Sequence, residues 1–171
     1  MRTLVVTLLL TIVASGTVQQ PEWKPFSSPD GSFSVLFPNS PTEHKQTIGG
    51  INTLMYLSVD DDATEYAVAF ADYPEANIKQ LTPDKIFDAG RDNLIAAEHG
   101  TLIKQSTITL EGYPGRAITV AMPDGLITTG RLYLIKNRVY QLLAETKRIK
   151  ENAERIESFL DSFKLADGKK V

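Results

Sequence analysis

The feature that most constrains this fold is a pattern that occurs twice: a set of short alternating strands broken by turn residues, then one amphipathic helix. Asp30-Gly31 signals a turn, after which Phe33, Val35 and Phe37 alternate with Ser32, Ser34 and Leu36. A period of two turns one side of such a segment toward a core. Pro38-Asn39-Ser40-Pro41 ends this strand, and Thr42–Ile48 reads as a second, polar strand turned by Gly49-Gly50. Residues 52–59 and Glu65–Asp72 read as two more strands around the acidic turn Asp60-Asp61-Asp62, completing a meander. Thr82 then offers an N-cap, Pro83 the first helical position and Asp84 a first-turn carboxylate. Ile86, Gly90, Leu94 and Ala97 fall on one stripe, flanked by Phe87 and Ile95, and Gly100 stops the helix. A glycine on a buried stripe costs up to about 1 kcal/mol against alanine, so Gly90 implies a close approach of helix to sheet.

The second half repeats the scheme. Strands are predicted over residues 103–111, 116–122 and 126–135 and over Arg138–Thr146. Asn137 tolerates positive φ, so Lys136-Asn137 suits a two-residue hairpin pairing Tyr133 with Tyr140 and Arg131 with Leu142. A last helix turns Ile149, Ala153, Ile156, Leu160 and Phe163 inward and the pairs Lys150–Glu154 and Glu151–Arg155 outward. The order ββββ-α-ββββ-α predicts an α+β fold, a mainly antiparallel sheet with helices packed on it.

Residues 1–16 have the layout of a secretory signal. Met1-Arg2 precedes an apolar run from Leu4 to Val13, broken by Thr7 and Thr11, and small residues follow at Ala14, Ser15 and Gly16. The run is shorter than the roughly 20 residues that cross a bilayer as a helix. The expected product is an exported protein, periplasmic or secreted, cut after Gly16, with no transmembrane anchor left. The boundaries are then a signal over 1–16, a polar leader over 17–29, one α+β domain over 30–165 and a disordered tail over 166–171. About 155 residues remain after cleavage, the size of one domain. The sequence has no cysteine, which excludes disulfides, thiolate metal sites, a cysteine nucleophile and a lipoprotein anchor. The formal net charge of −3 becomes about −4 without Arg2, which argues against a nucleic-acid partner.

Three stretches carry a family resemblance. The segment from Ser28 to Pro38, the turn Gly112-Tyr113-Pro114-Gly115-Arg116, and Arg138-Val139-Tyr140-Gln141-Leu142 leading to Phe159-Leu160-Asp161-Ser162-Phe163 resemble the PsbP-like superfamily. That superfamily includes the extrinsic PsbP subunit of photosystem II, the Ran-binding Mog proteins and many exported bacterial proteins. The resemblance spans nearly the whole mature chain and rests on turns and core positions. It implies a non-enzymatic protein-binding or accessory module at the cell envelope, because members with known roles mostly bind proteins. The metal-binding residues described for photosystem subunits have no place on this sequence.

Chemistry-bearing residues are few. His44 on a polar strand and His99 at a helix end are far apart, and a zinc site needs further ligands converging on them. Asp60-Asp61-Asp62 with Glu65 could face a calcium ion but lacks the spaced ligands and glycine of an EF-hand loop. Neither a nucleophile elbow, a zinc-protease helix motif, a P-loop nor a dinucleotide fingerprint follows the signal, so no catalytic residue and no cofactor are assigned. One face of the last hairpin carries Arg131, Tyr133, Arg138 and Tyr140. Tyrosine and arginine favour interfaces, so this face, with Tyr113 and Arg116, is a candidate surface for an unknown protein partner. The competing reading puts the tyrosines under a helix with the arginines reaching outward. A second functional class is a carrier of a lipid or other small apolar ligand, whose enclosed pocket would be lined by Phe33, Phe70 and Phe87.

Overall fold

The period-two runs pair mostly with their sequence neighbours. The structure, a computed structural model, describes residues 23–48 and 50–166. Its elements are β1 (Lys24–Ser27), β2 (Phe33–Phe37), β3 (Thr42–Ile48), β4 (Ile51–Val59), β5 (Glu65–Asp72), α1 (Glu75–Ile78), α2 (Pro83–Glu98), β6 (Thr101–Leu110), β7 (Tyr113–Ala121), β8 (Ile127–Ile135), β9 (Arg138–Thr146), α3 (Ala153–Ser162) and β10 (Lys164–Leu165). Seven strands form one sheet in the order β3-β4-β5-β9-β8-β7-β6, with each neighbouring pair antiparallel. A smaller sheet, β1-β2-β10, lies over it. The α+β class and the antiparallel sheet stand as expected, and the order gains β1, α1 and β10.

One face of the large sheet packs against the small sheet and α3. Phe33, Val35 and Phe37 of β2 meet Tyr56, Tyr66, Val68, Tyr140 and Leu142 of the sheet and Ile156, Phe159 and Leu160 of α3. Fully burying one such side chain contributes about 1.5–3 kcal/mol. The opposite face takes α2, whose Phe87 packs with Ile118, Leu132, Leu134 and Val139. Thr82 caps α2 by accepting from the Lys85 N–H, and Pro83 opens the helix. A Cβ on Gly90 would come within 2.9 Å of Leu132 Cδ2, so the close approach read from that glycine is real. The inward stripe is rotated from the expected one: Phe87 is the buried residue, and Ala97 is exposed.

Three expectations change at the ends of elements. The signal assigned to 1–16, most of the leader and all but Ala166 of the tail lie outside the described residues. Within the expected leader, residues 24–27 are strand β1 rather than linker, because Trp23 and Phe26 pack onto the aromatic core and the backbone pairs with β2. Ala166, assigned to the tail, donates its N–H to Ser32 O at 3.1 Å. The last helix starts at Ala153, not near Ile149, so its expected outward pairs do not form. Arg155 turns instead to Asp60 and Asp62.

The β8–β9 hairpin has the expected register, with Tyr133 opposite Tyr140 and Ile135 opposite Arg138. Its positive φ sits on Lys136 (59°), not on Asn137. Asn137 is held otherwise: its side-chain amide donates to Tyr73 O and its carbonyl accepts from Tyr73 N–H, both at 2.9 Å. A side chain in the left-handed region is strained where glycine is not. Lys136→Gly is therefore expected to raise stability by about 0.5–1 kcal/mol, read as a higher urea midpoint with an unchanged slope.

Candidate functional site

The residues expected to form a partner face do share one side of the hairpin, but that side is the inside of the molecule. Tyr133 is 3% exposed and Tyr140 is 2% exposed. Tyr133 stacks parallel to Phe163 at 6.2 Å, and Tyr140 meets Phe33 and Phe163 edge-on. Burial raises the Tyr133 hydroxyl above its usual range, although Arg131 pulls it down. The reason for the correction is position in the sheet. Strands β8 and β9 are interior strands, covered on this side by α3 and the small sheet.

The arginines reach out from under this cover, as the competing reading holds. Arg131 pairs with Glu157 at 2.9 Å and Asp161 at 2.7 Å, both on α3. Arg138 grips Asp72 with Nε and Nη2 at 2.7 and 2.6 Å and reaches Asp30 with Nη1 at 2.7 Å. Its guanidinium lies 4.5 Å over the Phe70 ring. Arg116 points to the other face. Its Nη2 meets Asp84 at 2.6 Å and its Nη1 meets Asp88 at 3.0 Å, tying α2 to β7. Tyr113 is half-buried at the start of β7. The six residues therefore divide between two faces and act as struts, not as one surface.

Asp30 shows how such a strut carries pH dependence. Burial alone would raise its carboxyl, but Arg138, the Ser32 and Ser28 hydroxyls and the Ser32 N–H hold it well below the usual carboxylate range. A carboxylate whose pKa falls on folding adds stability above its unfolded pKa near 4, and that stability is lost as pH falls through the lower folded value. Acid titration of the urea midpoint is expected to show a decline beginning near pH 4 and continuing below it. Asp30→Asn should flatten part of that decline and lower the midpoint at neutral pH.

The other candidates resolve into structural roles. Asp60 Oδ1 accepts from the N–H groups of Asp62 and Thr64, and Asp62 pairs with Arg148 and Arg155, so the acidic turn already faces cationic side chains. His44 is exposed and its ring nitrogen lies 2.9 Å from Thr42 Oγ1. His99 closes α2 in the left-handed conformation. Among the described residues, no group of three or more His, Asp or Glu is placed to hold a metal.

The pocket expected for a carrier does not form as read. Phe33 and Phe70 touch each other in the core at 5.9 Å between centroids, whereas Phe87 lies in the separate cluster under α2. The intervening sheet keeps them apart.

What the sequence reading did not single out is the far edge of the sheet. β6 spans ten residues and has no strand beyond it among the described residues. Seven of its ten residues are exposed, which leaves a row of unpaired backbone groups in reach of another chain. Beside it, between β6 and α3, runs an open cleft of about 350 Å³. Its floor is made of short side chains, Ser106, Ala117, Thr119 and Thr129, and its walls include Tyr133 and Leu160. The signal in the sequence was the low charge of residues 101–110, but sequence alone did not show that this strand is terminal.

No family model matches the sequence, and no curated protein matches it. Solved structures do match. Cyanobacterial PsbP (CyanoP) from Synechocystis is 12% identical with a TM-score of 0.60, over 88% of this chain and 96% of that one. A Pseudomonas aeruginosa protein of unknown function, described as a putative regulator, is 12% identical with a TM-score of 0.43, over 79% of this chain and 91% of its own. A Bacteroides thetaiotaomicron protein is 13% identical with a TM-score of 0.42, over 85% of this chain and 49% of its own. The sheet packed between helices and a smaller sheet, together with the likeness to cyanobacterial PsbP over nearly the full length of both chains, gives this chain the PsbP-like fold.

Proposed function

We propose that this chain is an exported, non-catalytic accessory domain that works by holding another protein at the cell envelope. The observation that carries the reading is the open β6 edge with a cleft beside it, where backbone hydrogen-bonding groups and unfilled space coincide; the β3 edge also borders a hollow, but Lys45 and Asp72 line that one. The charged side chains of the interior support the non-catalytic half of the reading. Arg116, Arg138 and Arg155 each bridge two elements through carboxylates. Export rests on the signal-like residues 1–16. No helix of the described residues is long and apolar enough to cross a membrane.

The test is affinity capture of the mature, tagged protein from its own envelope fraction, with mass spectrometry and lipid extraction of the same eluate. The expected result is one protein recovered in near-stoichiometric amount. A co-purifying lipid or small molecule without a protein would overturn the reading in favour of a carrier.

A further inference from the structure

The two edges of the large sheet differ in how they are defended. β3 carries two charged residues, Glu43 and Lys45, paired with each other at 2.8 Å along the edge, and such charges discourage strand addition. β6 carries a single charged residue, Lys104, among Thr, Ser, Gln, Ile and Leu. Its first residues are turned by a register shift between Leu102 and Lys104, the kind of bulge that takes a strand end out of pairing. Residues 104–110 keep an unbroken register with β7 and form the pairable part of the edge.

Side-chain direction sets what could pair there. Register places Lys104 beside Thr119 and then Thr129, Ser106 beside Ala117 and then Arg131, and Ile108 beside Gly115 and then Tyr133. Three rows thus cross the face that α3 covers farther in. The middle row is low at the edge, because Ser106 and Ala117 are small, and its inner end is closed by Arg131, which pairs with Glu157 and Asp161 and lines the cleft together with Glu157. This is the floor of the cleft, bounded by Ile108, Tyr133 and Leu160. Lys104 makes no ion pair among the described residues and stands at the cleft's other end.

Resting on the protein-contact reading, we propose that β6 receives an extended segment of another protein as an added strand. Opposite Lys104 this segment presents an acidic side chain. Two residues away, on the same face, it presents a large apolar side chain that fills the hollow over Ser106 and Ala117. Backbone pairing would supply affinity and the alternate side chains specificity, while the added strand closes the open side of the cleft. A second copy of this chain fits less well. Antiparallel pairing of two β6 strands about Ser106 sets Lys104 against Ile108, with no acid for the lysine and no large side chain for the hollow.

The experiment places a benzophenone-bearing residue at position 107 of β6, or at position 44 of β3, in the full chain expressed in its native host. Adducts are mapped to the peptide by mass spectrometry. The expected result is a protein adduct at position 107 at least tenfold above position 44. The captured segment should carry an acidic and a large apolar residue two positions apart. Lys104→Glu, an exposed change that leaves folding intact, should lower the yield about fivefold by replacing a cross-strand attraction with repulsion. Lysine in place of the segment's acidic residue should restore it. Ala117→Trp, which fills the hollow from within, should abolish the adduct. An adduct to another copy of this chain, to a lipid or to a segment without that pattern would overturn the proposal, as would equal yields at the two edges. If affinity capture still recovers a stoichiometric protein, strand addition alone fails. If capture recovers none, the protein-contact reading fails with it.

Discussion

Asp60→Ala is expected to destabilise the protein by about 3 kcal/mol, the lower end of the range for breaking a buried ion pair. The Asp60 side chain is 2% exposed and serves four groups at once. Oδ1 accepts from the N–H groups of Asp62 and Thr64 at 2.9 and 3.0 Å. Oδ2 accepts from the Tyr66 hydroxyl at 3.2 Å and lies 2.9 Å from Arg155 Nη2. That last contact is off the hydrogen-bonding direction, so it is an ion pair only, and Arg155 Nε and Nη2 have no hydrogen-bond partner among the described residues. Removing the carboxylate strands this side of the guanidinium, although Asp62 still holds Nη1 at 2.8 Å. The stranded charge is the decisive part. Arg155→Met added to Asp60→Ala should therefore recover part of the loss rather than deepen it. Urea denaturation of the single and double variants decides this: a double variant less stable than Asp60→Ala would show that Arg155 contributes packing more than an unpaired charge.

Much of this arrangement was legible in the sequence, and the reasons differ by element. The strand runs declared themselves through alternation, and the β8–β9 register followed from a two-residue turn. α2 was marked by Thr82-Pro83-Asp84 and by Gly90, whose lack of a side chain matches its distance from Leu132. β1 was hidden because Lys24-Pro25-Phe26-Ser27 has proline within and polar neighbours around it. Its place depends on the aromatic face of β2, which local pattern does not reveal. The Tyr/Arg face admitted two readings, an outer surface or a side buried under a helix, for the same reason. Alternation shows that Arg131, Tyr133, Arg138 and Tyr140 share a side, but which side is covered depends on where α3 and β2 return. The acidic turn looked like a cation site because Arg148 and Arg155, its partners, are 86 and 93 residues away in sequence. The candidate β6 edge was invisible until strand order was known, since an edge and an interior strand of similar composition read alike.

Phe33→Ala is expected to cost about 3–5 kcal/mol, the range for removing a fully buried phenylalanine side chain. Phe33 is 1% exposed, and its ring meets Phe26, Tyr56, Phe70, Tyr140 and Phe163 with centroids 5.3 to 6.3 Å apart. Those five come from β1, from three strands of the large sheet and from the residue after α3. No single neighbour can fold into the space left, because each ring is held by contacts of its own. Phe70 and Tyr140 pack on each other at 5.7 Å, and Phe26 leans on Tyr56 at 4.7 Å. Ser34→Ala, one residue along and on the other side of the strand, should change stability by less than about 0.5 kcal/mol. Trp23, the single tryptophan, sits edge-on to Tyr66 at 5.1 Å and reports the junction of the segment leading into β1 with the large sheet. In the Phe33→Ala variant its fluorescence and the circular dichroism of the whole protein should still change together in urea, at a lower midpoint. A tryptophan transition well before the dichroism change would mean that the small sheet peels away on its own. Phe33 would then be a clasp between two units rather than the centre of one core.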